Sequence, residues 1–379
     1  MNFALSDQQR QLGESLERLL AKVYDFNSRA AIVGSAAGYS ARVWQQFAEL
    51  GLTALPLPED YEGFGGTTVD LLPVMTALGR ALVVEPYLSS VVLGATALQL
   101  AGSFPQCQAV LPGVARGELL LAFAHGESAA RHPMWVATTA RQVGGQWVLA
   151  GNKANVLHGE SADHIVVSAR VAGQPGDAEG VALFLLQGDA PGLVRRGFRL
   201  LDDMPAAELI LDDVPAERLG GKPGSADAGQ VVRQVMNIAT AAACAQALGA
   251  MQGAYDMTLA YLGLRQQFGK PLGQNQALRH RAAEMLVHLE TCRSMALLAA
   301  VAAAAPSSPR NDLDIRRAKA IIGRYGRLVC LEAVQMHGGI GVTEEYAVGH
   351  FLRRVTVLDH LFGDEHQHVA ALAAALENG

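Results

Sequence analysis

Apolar positions along the first third of the chain repeat at helical spacing. Leu12, Leu16, Leu19, Leu20 and Val23 fall at offsets 0, 4, 7, 8 and 11, which is one face of an α-helix. Ser6 and Gln9 stand three apart just ahead of it, the pattern of a capping box. Further helices are predicted over Ala41–Leu50, Val69–Leu82 and Leu88–Leu100. The stretch Leu55–Thr67, which contains PLPEDYEGFGG, reads as a loop because Pro and Gly interrupt any period.

The period changes at about Leu119. Short β-like runs follow one another: WVATTARQV, QWVLAGN, HIVVSARV, VALFLL and AELILDDV. Gly144-Gly145 separates two of them and reads as a hairpin turn. Helical spacing returns at about Gly229. Leu278, Ala282, Met285, Leu289, Cys292 and Ala296 alternate steps of four and three, as in the seam of a bundle, and APSSPRND (305–312) breaks two long helices. The fold class predicted is α+β multidomain: an N-terminal α-helical domain (1–118), a middle β-barrel or sandwich (119–227) and a C-terminal four-helix-bundle-like domain (228–379).

Composition narrows the function classes. Half the residues are hydrophobic and 17% are charged, so the chain is globular. A net charge of −6 and the lack of a Lys/Arg cluster argue against nucleic acid. MNFALSDQQR has neither an apolar signal region nor transit-peptide character. The longest apolar run, Met295–Ala305, is shorter than the roughly 20 residues that span a bilayer. Cys107, Cys244, Cys292 and Cys330 are scattered without CxxC spacing, so they read as small core residues in a reducing, cytoplasmic setting.

Five stretches carry candidate chemistry. HLFGDEHQH (360–368) gathers three histidines and two carboxylates. Most of these lack a common direction at helical spacing, so a metal site is not favoured. Asp364 reads instead as an N-cap, with Gln367 completing a capping box before a helix over Val369–Leu376, and the histidines of its first turn read as surface residues. HGESAARHP (125–133) and GNKANVLHGESAD (151–163) both contain GES but lack the final Gly of a hydrolase elbow. HGGIG (337–341) is open to three readings: an esterase oxyanion loop, a left-handed helix cap at Gly338 or Gly339, or a turn whose bare N–H groups admit a phosphate. In RQQFGKPLGQNQ (265–276), Arg265 is either an exposed helix-end charge or a fork suited to a pyrophosphate.

Taken together, RQQFGKPLG, QALRHRAAEM, QMHGGIGVTEEY and the junction LILDDVPAERLGG resemble the acyl-CoA dehydrogenase family over essentially the whole chain. Within it, the YDF, FAELGL, VLHGESAD and LFGD segments look most like small subunits of the pimeloyl-CoA dehydrogenase type. The resemblance implies FAD as cofactor, an acyl-CoA substrate, and an electron-transfer flavoprotein as redox partner. It implies a carboxylate base for the α-proton while the β-hydride passes to the flavin. It also implies roles in cofactor binding. Arg265 matches the arginine at the FAD pyrophosphate, Phe268 the aromatic residue near the adenosine, and Gln335, Gly338 and Gly339 the turn at the same end. In the family these groups reach an FAD held mainly by the neighbouring subunit.

The other half of the pattern is altered. The flavin-contacting T/S-E-P-x-x-G-S-D loop corresponds to His125–His132, and the W-I-T/S segment to Asn155, Val156 and Leu157. Asn155 offers no aromatic face and Leu157 no hydroxyl. Aligning the ending on Arg353 puts the usual Glu on Phe362, with Gly363 kept and Asp364 in place of Thr. The alternative base position, on an earlier helix, falls near Ala239, and no carboxylate lies between Asp227 and Asp256. The resemblance therefore implies a subunit without its own base, sharing FAD with a larger acyl-CoA dehydrogenase subunit. The alternatives are a self-sufficient homo-oligomer with Asp364 or Glu365 as a displaced base, and a flavin-free structural relative. The pimeloyl-type resemblance suggests a dicarboxylic or medium-length acyl group, with bulkier steroid thioesters left open.

Overall fold

The computed structural model describes residues 6–128, 134–177, 179–220, 228–267 and 269–377. They form two compact units, each built from separated stretches of chain.

The first unit is helical and takes residues 1–31, 68–83 and 240–379. It opens with α1 (Asp7–Val23), capped as the sequence predicts: Ser6 Oγ accepts from the Gln9 N–H at 3.2 Å and Gln9 Oε1 accepts from the Ser6 N–H at 2.8 Å. α2 (Phe26–Val33) follows and α4 (Thr68–Arg80) packs on α1. The bundle proper consists of the later part of α7 (Ala228–Leu264), with α8 (Gln276–Ala304), α9 (Pro309–His337), α10 (Val348–His360) and α11 (Glu365–Glu377). Of the α8 seam, Ala282, Met285, Leu289, Cys292 and Ala296 are buried in one core with Cys244, Met251, Val329 and Phe351. By length and composition, α8 as a whole is apolar enough to cross a membrane, although no single unbroken run in it is. Its seam lies in the bundle core, which accounts for that composition.

Two helices of this unit meet at a pair of glycines. A Cβ on Gly79 of α4 would lie 1.9 Å from the Gln246 carbonyl oxygen of α7, and one on Gly249 of α7 would lie 1.9 Å from the Thr76 oxygen of α4. Each helix thus needs a missing side chain where the other's backbone passes.

The second unit takes residues 32–67 and 84–239. Its helical part comprises α3 (Ala41–Glu49), a buried π-helical stretch Tyr87–Ala95 running into α5 (Thr96–Ala101), and α6 (Phe104–Ala115). Its sheet comprises β1 (Leu121–Ala124), β2 (Thr139–Val143), β3 (Gln146–Leu157), β4 (His164–Arg170), β5 (Val181–Gln187), β6 (Leu193–Arg199) and β7 (Pro205–Arg218). The order β1-β4-β2-β3-β7-β5 is closed by a further β4–β5 pairing, which makes a barrel, and β6 adds on to β7. Ile165, Val167, Phe184, Leu209 and Leu211 fill it. Gly144 and Gly145, at φ 58° and 84°, make the two-residue β2–β3 turn, because a primed turn needs positive φ at both positions. β1, β6, α2, α6 and α10 are additions to the elements predicted from sequence.

The glycine crossing supplies a stability test. Gly249→Ala is expected to destabilise the protein by about 1–3 kcal/mol through overpacking. Gly263→Ala, later in α7 with open space around its Cβ position, is expected to be neutral or stabilising by up to about 1 kcal/mol. Thermal unfolding of both variants checks this, and equal melting temperatures would refute the crossing.

Candidate functional site

The segment around Phe362, where the resemblance places the usual base, is held from two sides. Lys319 of α9 is buried, and its ammonium donates to the carbonyls of Asp359 at 2.6 Å and Gly363 at 2.7 Å. His368 of α11 lies 3.2 Å from the Phe362 carbonyl through Nε2, which must carry the proton because a carbonyl only accepts. Phe362 takes φ 64°, a left-handed backbone uncommon for a bulky residue, and packs against the bundle core. Gly363 follows at φ 97°. Asp364 Oδ1 accepts from the Gln367 N–H at 2.8 Å, the cap the sequence suggests, although the helix starts earlier, at Glu365.

One expectation is corrected here. His368 is not a surface residue: only 6% of it is exposed, because its ring turns back onto the Phe362 carbonyl. Burial, with the nearby Lys319 and Arg316 cations, brings its pKa down to about 4. Burial likewise lowers Lys319, against the opposing pull of Cys244 and Asp359. Among the described residues, no cluster of His, Cys, Asp or Glu is arranged to hold a metal. The other base position, Ala239, is fully buried. The next carboxylate on α7, Asp256, is paired with Arg80 at 2.7 Å.

The groups assigned to a cofactor gather at another edge of the helical unit. Arg265 is exposed at the end of α7, and Gln335, Gly338 and Gly339 are exposed at the end of α9. Phe268 lies outside the described residues. Gly338 closes α9 at φ 65° and ψ −140°, a backbone that favours glycine. A Cβ on Gly338 or Gly339 would meet nothing within 4 Å, so the turn's backbone is open to a ligand. Sequence alone did not single out what joins the two helix ends. The ring of Tyr261, one turn before Arg265, stacks on His337 at 4.4 Å between centroids. Large apolar side chains around both ends are exposed: Leu264 by 82%, Ile340 by 41% and Val342 by 74%. A planar fork of donors, an amide and an open glycine turn suit a pyrophosphate.

In the barrel unit, the described residues matched to the family's flavin-ring segments are arranged as follows. Asn155 is exposed at φ 53°, where a register shift in β3 marks a bulge. Val156 and Leu157 are buried. Of the stretch His125–His132, the residues Ala129–His132 lie outside the described residues. Glu127 is engaged in structure: it pairs with buried Lys153 at 2.7 Å and accepts from the N–H groups of Ala137 at 2.8 Å and Thr138 at 3.0 Å. Burial works to raise the Glu127 carboxyl, but Lys153 and these donors outweigh it. Burial brings Lys153 down to about 8 against the pull of Glu127. The second GES stretch forms no elbow: the Ser161 N–H closes a turn onto the His158 carbonyl at 3.0 Å.

Comparison with known proteins places this architecture. Models of the acyl-CoA dehydrogenase N-terminal, middle and C-terminal domains match residues 6–118, 122–214 and 228–377. The chain is 28% identical over 379 residues to the probable acyl-CoA dehydrogenase YngJ of Bacillus subtilis, covering 95% of each. It is 30% identical over 317 residues to the glutaryl-CoA dehydrogenase of Desulfococcus multivorans, covering 80% of each. The fold matches a variant of the steroid ACAD Tcur3481-Tcur3483 with a TM-score of 0.87, at 27% identity and 98% coverage of each chain. An α-helical, β-barrel and helical-bundle chain of this kind is the architecture of a flavin-linked oxidoreductase. The chain belongs to the acyl-CoA dehydrogenase family.

The His368 environment sets a pH dependence. Its folded pKa, about 4, lies below the ordinary 6.5, so the unfolded chain binds more protons between those values. Stability is complete above about pH 6.5 and falls as pH drops toward 4, by up to about 1.4 kcal/mol for each pH unit. Burial also lowers His164, His337 and His350, which adds to the same slope. His368→Gln is expected to flatten the decline without abolishing it. Urea unfolding across pH 4.5–7 reads this, and an unchanged slope would contradict the buried neutral ring.

Proposed function

We propose that this chain is the non-catalytic subunit of a heteromeric acyl-CoA dehydrogenase. It contributes the pyrophosphate and adenosine end of an FAD site completed by a larger subunit. When bound there, FAD supplies the hydride acceptor for α,β-desaturation of an acyl-CoA thioester. This chain's part is to bind and orient: Arg265 neutralises the pyrophosphate, Gln335 and the Gly338–Gly339 turn donate to it, and the flanking apolar side chains exclude water once covered. The partner brings the carboxylate base and the ring pocket. An electron-transfer flavoprotein is the natural oxidant of the assembly.

The observation that carries this reading is the asymmetry between the two ends of the expected site. Donors for the phosphates are present and exposed, among apolar side chains as exposed as Leu264 (82%) and Val342 (74%), a surface that water alone serves poorly. At the base position stands Phe362, packed on the core and fixed through its carbonyl. Asp364, the candidate for a displaced base, is held as the cap of α11. The matched steroid ACAD carries a two-part name, Tcur3481-Tcur3483, which suits a heteromer and keeps a steroid thioester beside the dicarboxylic or medium-length acyl group of the pimeloyl type.

Co-expression with a longer family member that keeps the glutamate tests the proposal. The expected result is little flavin in this chain alone, and one shared FAD per pair, with dehydrogenase turnover, in the co-purified assembly. Full FAD loading and turnover by this chain alone would reject it. A colourless assembly would favour a purely structural relative.

A further inference from the structure

Arg265 and the Gly338–Gly339 turn belong to different helices, and an anion can use both only if the helix ends are held in register. The link between them is aromatic. Tyr261 stacks on His337 with centroids 4.4 Å apart and planes 30° apart. Tyr346, on the chain that leaves the turn, packs against the same imidazole at 5.2 Å and 51°. The imidazole is oriented by Nδ1, which lies 2.7 Å from the Ala333 carbonyl and so donates to it. Nε2 is then an acceptor, buried and without a partner among the described residues. Burial lowers the pKa of this histidine, so the ring is neutral and packs as an aromatic plate. The Tyr261 hydroxyl also reaches the His337 carbonyl, at 3.4 Å.

Two members of this stack, Tyr261 and His337, adjoin the candidate phosphate donors. Arg265 continues α7 one turn beyond Tyr261, its N–H bonded to the Tyr261 carbonyl at 2.8 Å. Gly338 follows His337 directly, with φ 65° and ψ −140°, a backbone that favours glycine. A Cβ on Gly338 or Gly339 would meet nothing within 4 Å, so that side of the turn is open.

We propose that the Tyr261–His337–Tyr346 stack is the strut that sets the spacing between Arg265 and the Gly338–Gly339 turn, with Tyr261 a positioning residue for the FAD pyrophosphate. The inference rests on the shared-site reading above. It goes beyond that reading by assigning a role to residues other than the proposed phosphate donors. A misplacement of about 1 Å in such a constellation can cost up to about a hundredfold in a binding-dependent step.

The test measures FAD retained per assembly, by visible absorbance after dialysis, for Tyr261→Ala, Tyr261→Phe and Arg265→Ala in this chain, with the partner subunit unchanged. Melting temperature and elution volume are recorded for each. Tyr261→Ala is expected to weaken FAD retention about tenfold while assembly persists, and Tyr261→Phe, which keeps the ring, to restore it to within about twofold. If Arg265→Ala sheds FAD while Tyr261→Ala retains it, the strut is rejected and the shared site stands. If Tyr261→Ala and Tyr261→Phe lose FAD equally, or only together with assembly, the stacking role is rejected. Arg265→Ala with undiminished FAD would overturn the shared-site reading itself.

Discussion

A buried ammonium must be given acceptors, and Lys319 finds its own in the backbone of one turn. Its two bonds, to the carbonyls of Asp359 and Gly363, tie the end of α10 to the start of α11. Leaving such a charge without partners would cost several kcal/mol, so the turn is not free to move away from α9. The rest of the turn follows from that anchor. Phe362 accepts a left-handed backbone, His368 is drawn in under it as a neutral donor, and Asp364 is left to cap the last helix. Gly323 takes part as well, since a Cβ there would lie 2.0 Å from Asp359 Oδ1. A segment fixed in this way holds the Phe362 ring against the bundle core and keeps Asp364 at the cap of α11.

The proposed reading makes this chain half of an active site. Its polar groups divide into those satisfied internally and those left at the surface. Glu127 and Lys153 satisfy each other inside the barrel, and Asp256 answers Arg80 on the bundle surface. Arg265, Gln335 and the Gly338–Gly339 turn are exposed, next to apolar side chains that no described residue of this chain covers. Groups of that kind gain from a partner surface and an anionic ligand together. On the proposed reading, proton abstraction is left to the partner subunit.

Much of the fold was legible in the sequence because period and punctuation agreed. The α8 seam, the Ser6 cap and the Gly144-Gly145 turn each express one local rule. What was missed breaks such a rule. β6 reads LVRRGFR, with three arginines and mostly exposed positions, so it has no alternation to betray a strand. β1 has four residues, all buried, too few to show any period. α6 contains Pro112, which reads as a breaker although the helix accommodates it. The candidate site was legible only through resemblance, since Arg265 and the glycine turn are ordinary alone. The buried His368 and the Tyr261–His337 stack depend on contacts between segments, which no local pattern carries.

The central claim is that FAD in the working enzyme is divided between two unlike chains. A structure of the co-purified assembly with FAD bound tests it most directly. The account expects the pyrophosphate within hydrogen-bond reach of this chain's Arg265 and the Gly338–Gly339 turn, with the isoalloxazine ring and the carboxylate base on the partner. An isoalloxazine ring seated in this chain's own barrel beside Asn155, with its pyrophosphate away from Arg265, would contradict it.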